Sequence, residues 1–383
     1  MNIRLLGILA VVVALIGGAA YYFGQERKAL QSEAFQAGPL LPGVEDRIND
    51  VDAIRIESQE GGVLNFKRSD AGWTLAERYG YRANRERVAT ILKQVATLKA
   101  IEPKTSKPEN HKRLNLDDPA GEFSLATRIT LKAGDALVAD VVVGLNRPEK
   151  QGGGAFVRLW GEDQTWLTEA DFKPRRRALD LLDRNVVNVD GRRIRTARLS
   201  SPPASADSAV ETLAVGKSAP DQEKYSLAAD IPEGMTPKAD SELSTVARVS
   251  DFLVLEDVWP ATEAKMDSPN VAVYETFDGL RLTYRAQAQS DGKVWVTVAA
   301  EAADRSPDLD AFVAANKGQD SESGRIADQF KTPEEIQAEI AEISKNVDGW
   351  AYKLTDYKIK RLTMKAAELI EKAEEPAEAP KAQ

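Results

Sequence analysis

Residues 72–100 constrain the fold more than any other stretch of this chain, because their hydrophobic period changes within one short segment. Trp73-Thr74-Leu75 alternates like the end of a strand, and a polar connection then leads to Asn84, a favourable N-cap residue. An apolar stripe with helical spacing follows, formed by Val88, Ile91, Leu92, Val95 and Leu98. The segment therefore predicts a strand followed by an amphipathic helix that packs on a sheet.

Alternating segments on both sides of this unit predict antiparallel strands. Residues 51–56 and 63–68 alternate at period two on either side of Gly61-Gly62, which is typical of a hairpin turn. Residues 127–131 and 138–143 form a second such pair around the turn at 133–135.

A fainter copy of the same order begins at Arg192. Residues 194–199 and 212–215 predict strands, and residues 225–227 stand where Trp73-Thr74-Leu75 stood. A helix capped by Asp240 follows, and the hairpin around Asp291-Gly292 is matched with the one at residues 133–135. We therefore predict an α+β protein with two similar lobes of mainly antiparallel sheet and packed helices, produced by internal duplication. Two unrelated α+β lobes are the alternative.

The predicted organisation has five parts. They are an anchor at 1–23, a linker at 24–50, a first α+β lobe at 51–190, a second α+β lobe at 191–370 and a disordered tail at 371–383.

Four further segments are predicted within the lobes. Residues 172–183 predict a short helix, and residues 301–331 predict a polar insertion. Thr332 and Glu335 form a capping box that starts a helix after that insertion. A closing helix is predicted to run through Leu362 to Ile370.

Residues 5–23 carry no charge and, as a helix, would extend about 28 Å, close to the thickness of a bilayer core. Tyr21, Tyr22 and Phe23 close the run as an interfacial aromatic belt does. The pattern favours a single transmembrane helix in the inner membrane, with the bulk of the chain in the periplasm. A cleaved signal peptide and a buried soluble helix are the alternatives.

Composition excludes several functional classes. The net charge of −9 argues against nucleic-acid binding, which needs clustered Lys and Arg. With no cysteine, the chain has no disulfide, thiolate metal site or cysteine nucleophile, and it tolerates an oxidising compartment. A single histidine, His111, excludes multi-histidine metal sites.

Individual motifs point to chemistry only weakly. Gly216-Lys217-Ser218 is the end of a P-loop motif, but the position that needs the first glycine is Glu211, so we predict a turn. His111 lies in a polar linker and is predicted to be on the surface, and Asp117-Asp118 precedes Pro119 as turn aspartates do. Tryptophans that could line a glycan groove are predicted to be core or rim residues. They are Trp160, Trp166, Trp259, Trp295 and Trp350.

No catalytic, cofactor-binding or metal-binding residue is therefore predicted. The candidate interaction patch is the most basic stretch of the chain, where a solvated surface is the alternative reading. It contains Arg175, Arg176, Arg177, Arg192 and Arg193.

Five segments in this order resemble a known bacterial family, the domain of unknown function 4340. They are Trp73-Thr74-Leu75, the helix at 83–98, Leu114-x-Leu116-x-x-Pro119, the strand end at 141–144 and residues 350–354. Members carry Gly-Leu-x-x-Pro at the third segment, whereas this chain has Asn115, which also tolerates a left-handed turn.

The resemblance covers residues 50–370 and implies a membrane-anchored envelope protein, often encoded beside ABC-type transporters of the gliding-motility auxiliary kind. It supplies no catalytic residues. We therefore expect a non-enzymatic accessory or scaffold protein with a protein partner in an envelope transport complex and no cofactor. The alternative is a binding module for a polysaccharide or another exported ligand in a cleft between the lobes.

Overall fold

The computed structural model of the protein describes residues 35–203, 210–228 and 231–373. The predicted transmembrane segment, 5–23, lies outside these residues. Within the described ranges, no helix is both long enough and apolar enough to cross a bilayer.

The described residues form two units. The first contains the described residues up to Thr74 and the segment Arg85–Leu181, and the second contains Leu75–Asn84 and the described residues from Leu182 onward. The predicted lobes divide the chain at a single point. In the structure, Leu75–Asn84 also belongs to the second unit, although the residues on either side of it belong to the first. The strand–helix segment at 72–100 is consequently shared between both units.

The described chain is rich in strands. In order they are β1 (Gly38–Pro39), β2 (Ala53–Ser58), β3 (Gly62–Ser69), β4 (Gly72–Leu75), β5 (Tyr81–Arg82), β6 (Lys99–Pro103), β7 (Thr127–Ala133), β8 (Ala136–Asn146), β9 (Ala155–Leu159), β10 (Thr165–Thr168), β11 (Asn185–Val187), β12 (Ile194–Ser201), β13 (Glu211–Gly216), β14 (Ser226–Ala228), β15 (Met235–Pro237), β16 (Leu253–Val254), β17 (Asp257–Pro260), β18 (Asn270–Thr276), β19 (Leu280–Ala288), β20 (Val294–Ala302), β21 (Trp350–Lys353) and β22 (Ile370–Lys372). The α-helices are α1 (Val44–Arg47), α2 (Arg85–Ala96), α3 (Ala178–Leu181), α4 (Asp240–Ala247), α5 (Leu309–Asn316), α6 (Glu322–Ala327), α7 (Pro333–Val347) and α8 (Asp356–Leu362).

The sheet of the first unit has the order β4-β3-β2-β7-β8-β9-β10-β6-β1. Its strands bury alternate residues, as in β2, where Ile54 and Ile56 are buried and Arg55 is exposed. Helix α2 begins at Arg85, directly after Asn84, and buries Val88, Ile91 and Val95. Leu98 lies beyond its end and is also buried, whereas Leu92 is half-buried. The predicted strand–helix packing is therefore confirmed.

The sheet of the second unit has the order β14-β13-β12-β18-β19-β20-β21-β17. If the strands of each set are numbered by their order along the chain, this sheet and the strands β4-β3-β2-β7-β8-β9-β10-β6 of the first unit have the same spatial order. In both sets a helix follows the third strand along the chain. Neighbouring strands are antiparallel, as in β7 with β8 and β18 with β19. The predicted α+β class is confirmed.

The strand order corrects one predicted match. The sequence prediction contains no strand at the position of β18. It therefore matches the hairpin around Gly292 with the hairpin around Gly134. In the structure, the hairpin around Gly134 occupies the position of the β18–β19 hairpin at Gly279. The β19–β20 hairpin at Gly292 instead corresponds to the β8–β9 connection.

The two sheets differ most after their seventh strand. In the first unit a short turn joins β9 to β10, whereas residues 303–349 separate β20 from β21 and form α5, α6 and α7. We call residues 303–349 the helical insertion. Residues 301–331 are predicted to be a polar insertion. In the structure, the helical insertion has its own core, in which Leu309, Ile326 and Phe330 pack against Phe277. The predicted capping box of α7 at Thr332 and Glu335 is present.

Several predicted element ends are wrong. Residues 38–50 of the predicted linker contain β1, paired with β6, and α1. The predicted helix at 172–183 shortens to α3, and the closing helix ends at Leu362, before a strand that pairs Glu371 with Thr236. The described part of the predicted tail thus starts within a strand, and residues 374–383 lie outside the described residues.

Asp240 also has a different role from the predicted one. The N-cap of α4 is Ala239, and Asp240 Oδ1 accepts a hydrogen bond from the backbone N–H of Tyr225 at 2.6 Å. Asp240 therefore ties the start of α4 to the start of β14.

Tyr274 and Tyr284 form a matched pair for testing the core of the second unit. Both are fully buried, with ring centroids 5.4 Å apart, but among the described residues only the Tyr284 hydroxyl has a hydrogen-bond partner, Ser250 Oγ at 2.7 Å. We expect Tyr284→Phe to lower the free energy of unfolding by about 1–2 kcal/mol because it leaves the buried Ser250 hydroxyl unpaired. Tyr274→Phe removes an unpaired hydroxyl and should leave stability unchanged or raise it. Urea unfolding of both variants tests this, and equal losses would contradict it.

Candidate functional site

The residues of the predicted arginine patch are divided between the two units. Arg175, Arg176 and Arg177 belong to the first unit, whereas Arg192 and Arg193 belong to the second. Arg175 is exposed, Arg176 Nη1 lies 3.7 Å from Glu60, and Arg177 pairs with Asp180 at 2.9 Å. The interaction role of these three residues stays a prediction.

Arg193 lies in the interior of the second unit, and its side chain is only 4% exposed. Its Nε donates to Asp278 Oδ2 at 2.9 Å, and its two terminal nitrogens donate to both carboxylate oxygens of Glu339 at 2.9 and 2.7 Å. Lys331 Nζ lies 2.7 Å from Glu339 Oε1. Because Asp278 belongs to the β18–β19 hairpin and Glu339 to α7, this guanidinium connects the sheet to the helical insertion.

Burial and ion pairing act in opposite directions on the pKa values of Arg193 and Glu339. Burial alone would lower the pKa of Arg193, but hydrogen bonds and attraction from Glu339 and Asp278 outweigh it and raise that pKa. Burial alone would raise the pKa of Glu339, but Arg193 and then Lys331 outweigh it and hold that pKa below its usual value. Arg193 and Glu339 are therefore both held in their charged forms.

Two adjoining cavities lie beside the Arg193 cluster, each of about 470 Å³. Both are lined by Arg192 and Arg248, and we call them together the charged cleft. The first cavity is completed by Asn188, Asp190, Arg193, Asp251, Phe252, Gln329, Lys331 and Glu339. The second is completed by Lys217, Asp221, Gln222, Glu223, Tyr225, Asp240, Ser244, Glu322, Ser323 and Ile326.

Arg192 and Arg248 are each paired with a neighbouring aspartate. Arg192 donates to both oxygens of Asp190, with its shortest bond at 2.6 Å, and Arg248 Nε donates to Asp251 at 2.9 Å. Arg192 outweighs the effect of burial on Asp190 and lowers the pKa of that carboxyl. The charges of Arg192 and Arg248 are consequently balanced by neighbouring aspartates.

The loop at 248–252 presents an exposed aromatic ring at the edge of the first cavity. Phe252 is 75% exposed and has a φ of +49°, a backbone conformation that bulky residues rarely adopt. Its N–H donates to Asn188 Oδ1 at 3.1 Å. The loop is held further by Lys358 Nζ, which donates to the carbonyls of Val249 and Asp251 at 2.7 and 2.8 Å. These hydrogen bonds fix the backbone of the loop, and the Phe252 ring is exposed to solvent.

The structure also places three other sequence candidates: His111, Asp118 and the segment at Gly216. His111 was predicted to be on the surface, but it is 7% exposed, with Nε2 2.8 Å from the Asp163 carbonyl oxygen. Asp118 caps its turn as predicted, accepting from the Ala120 N–H at 3.0 Å. Gly216 ends β13, and Lys217 follows in the predicted turn.

The tryptophans include one core residue and one exposed residue. Trp295 is 4% exposed, whereas Trp160 is 36% exposed and stacks under the Arg128 guanidinium at 3.8 Å. Among the described residues, no group of three or more His, Asp or Glu side chains is placed to hold a metal ion.

The charged cleft was not predicted from the sequence. Its residues are separated by up to about 150 positions and come together only because the helical insertion packs beside β12 and the loop at 248–252. The density of arginines near residue 192 pointed to Arg192 and Arg193 but not to their acidic partners, and Lys217 was singled out only as part of an incomplete P-loop motif.

Two segments of the predicted family pattern meet in the first unit. Asn115 adopts the left-handed conformation, with φ +55°, so the expected tolerance for the missing glycine is confirmed. A Cβ added at Gly144 would lie 2.2 Å from the Leu114 carbonyl oxygen and 2.6 Å from that of Asn115. Only glycine fits at this contact, which explains why the strand end at 141–144 and the turn at 114–119 occur together.

Comparison with known proteins identifies one family. No curated protein and no solved structure matches the chain. The family described as Domain of unknown function (DUF4340) matches residues 73–269, more than half of the 383 residues. The chain belongs to this family of domains of unknown function, DUF4340.

Proposed function

We propose that this protein is a membrane-anchored accessory component of an ABC-type envelope transport system, with a binding role and no catalytic one. The resemblance described above supplies the transport context. The uncharged run at 5–23 supports a retained transmembrane anchor, and the absence of cysteine suits an extracytoplasmic location. In this proposal the two units face the periplasm and only the N-terminus is cytoplasmic.

The two units are proposed to descend from one duplicated ancestor. The matching strand order of β4-β3-β2-β7-β8-β9-β10-β6 and β14-β13-β12-β18-β19-β20-β21-β17 supports this origin. The helical insertion is then an addition to the second copy. Because the Arg193 cluster joins that addition to the sheet, the second copy carries features for which the first has no equivalent.

The observation that carries the binding role is the placement of Phe252. Hot spots of protein interfaces are aromatic residues surrounded by polar groups that exclude water. Phe252 is such a residue, next to the charged side chains of Asp190, Arg192 and Arg248. The strained backbone at Phe252 costs on the order of 1–3 kcal/mol, and such strain occurs mainly at functional sites. A membrane-embedded transporter subunit is the proposed partner.

Crosslinking in native membranes tests the partner. A photoreactive amino acid at position 252 is expected to crosslink an ABC-type permease subunit, identified by mass spectrometry. Phe123 is the matched control, because it is 76% exposed with a φ of +61° but belongs to the first unit. Equal crosslinking from both positions would contradict the assignment to Phe252. Binding of a glycan with no protein partner would support the exported-ligand alternative instead.

Protease accessibility tests the membrane topology in the same cells. The described units are expected to be protected in intact cells and digested in spheroplasts, and the chain should stay with the membrane after carbonate washing. Units that remain protected in spheroplasts would refute the periplasmic location, and release by carbonate would refute the retained anchor.

A further inference from the structure

The second cavity of the charged cleft has a buried ammonium group at its base. Lys217 is 8% exposed, and its Nζ lies 5.1 Å from the ring centroid of Tyr225 and 6.0 Å from that of Phe277. Its one hydrogen-bond acceptor among the described residues is the Arg192 carbonyl oxygen, at the limiting distance of 3.5 Å. No carboxylate of the described chain lies within ion-pair distance of this Nζ.

A second buried lysine shows how such a group is satisfied when its role is structural. Lys358 Nζ donates to two carbonyl oxygens at 2.7 and 2.8 Å and lines neither cavity of the cleft. An ammonium has three donors, so Lys217 retains unused donors that face the second cavity. Burial lowers the pKa of Lys217, with Arg248 adding to the effect and Asp190 and Asp221 opposing it. A negatively charged ligand would offset the cost of burying this ammonium group.

The edge of the same cavity carries the opposite charge. Asp221 and Glu223 are exposed, and neither has an ion-pair partner among the described residues. The other acidic groups of the lining are engaged, since Glu322 pairs with Arg325 at 2.6 Å and Asp240 accepts from Tyr225. The cavity is therefore positive at its base and negative at its rim.

We propose that this cavity binds a small zwitterion of the amino-acid type, a free amino acid or a short peptide. The carboxylate of the ligand meets Lys217 Nζ, and its ammonium group faces Asp221 and Glu223. A volume of about 470 Å³ lies within the usual range of small-molecule sites, and Ile326 and the Tyr225 ring provide apolar contact. The site is independent of the proposed docking at Phe252, so either can fail without the other.

Calorimetric titration of the full chain in detergent tests the proposal with alanyl-alanine, acetate, ethylamine and phosphate as probes. Alanyl-alanine is expected to bind more tightly than acetate, and ethylamine to bind most weakly. Lys217→Met should weaken alanyl-alanine binding about tenfold or more, because a charge-assisted hydrogen bond is lost. Lys224→Met is the matched control, since it removes the same charge from an exposed position outside the cavity and should keep the affinity.

A second variant keeps the test valid if Lys217→Met does not fold, which its thermal unfolding would reveal. The double variant Asp221→Asn/Glu223→Gln changes only exposed residues and should weaken alanyl-alanine binding while leaving acetate binding equal or stronger. Unchanged alanyl-alanine binding in Lys217→Met, or in the double variant, would overturn the proposal. Tighter binding of phosphate than of alanyl-alanine would also overturn it, by assigning the cavity to inorganic oxyanions.

Discussion

Arg193→Ala is expected to lower the free energy of unfolding of the second unit by about 3–5 kcal/mol, the cost of leaving buried charges without their partner. Asp278 is 2% exposed, and within the described part of the chain one of its carboxylate oxygens already has no hydrogen-bond partner. Glu339 would keep only Lys331. The change would also remove the ionic link between α7 and the β18–β19 hairpin, because Glu339 and Asp278 hold the same guanidinium. Urea unfolding followed by tryptophan fluorescence measures the loss.

The neighbouring residue provides the control. Arg192 has the same charge, but its side chain is 38% exposed and its carboxylate partner is Asp190, two residues away. Partly exposed pairs of this kind contribute about 0–1 kcal/mol, so Arg192→Ala should have a small effect. Losses of similar size in the two variants would contradict the assigned role of Arg193.

The pH dependence of stability gives an independent check on this cluster. The pKa of Glu339 is lowered in the folded protein, so its stabilising contribution is present above the unfolded value of about 4.3 and is lost as pH falls through the folded value. In Arg193→Ala, Glu339 loses its main source of stabilisation as an anion. The difference in stability between wild type and variant should therefore shrink as pH falls below about 4. A difference that stays constant across that range would contradict the ion-pair explanation.

Tyr81→Ala is expected to lower the free energy of unfolding of the second unit by about 3–5 kcal/mol, as removal of a large buried aromatic ring does. Tyr81 is fully buried, and its ring packs edge to face against Trp350 at 5.0 Å and lies 6.2 Å from Tyr352. The adjacent Arg82 adds hydrogen bonds to Asp183 and to the Asn346 carbonyl. Tyr81 is thus the main apolar contact that holds Leu75–Asn84 in the second unit.

Hydrogen exchange distinguishes loss of this contact from a general loss of stability. In Tyr81→Ala, the amides of residues 75–84 should exchange first, before those of the central strands β18 and β19. Tyr79→Ala is the control, because Tyr79 is two residues away and 59% exposed, and it should change stability by less than about 0.5 kcal/mol. Uniformly faster exchange throughout the second unit would contradict the local role of Tyr81.

Local patterns in the sequence predicted the elements whose structure depends on near neighbours. The apolar stripe of α2 predicted its buried face, the Thr332–Glu335 pair predicted the start of α7, and Asn115 adopts the predicted left-handed turn. In each case the deciding interactions lie within a few residues along the chain. The family was also recognisable, because its pattern is an ordered series of such local signals.

The failures have a different cause. Residues 270–276 show weak alternation, and the predicted order therefore missed β18, which pairs with β12 across more than 70 positions of chain. Residues 303–331 contain enough charge to indicate a polar loop, yet Leu309, Ile326 and Phe330 find a shared partner in Phe277. The composition of a segment does not show which of its few apolar side chains pack together in the folded protein.

The sequence by itself determined the α+β class, the packing face of α2 and the membership of a family, since these follow from hydrophobic periodicity, capping residues and motif order. Only the tertiary structure decided that Leu75–Asn84 joins the second unit, that Arg193 is buried while Arg192 is not, and that Lys217 lies at the base of a cavity. These outcomes depend on contacts between residues far apart in the chain. The burial and the charge environment of each side chain are set by those contacts and not by its neighbours in sequence.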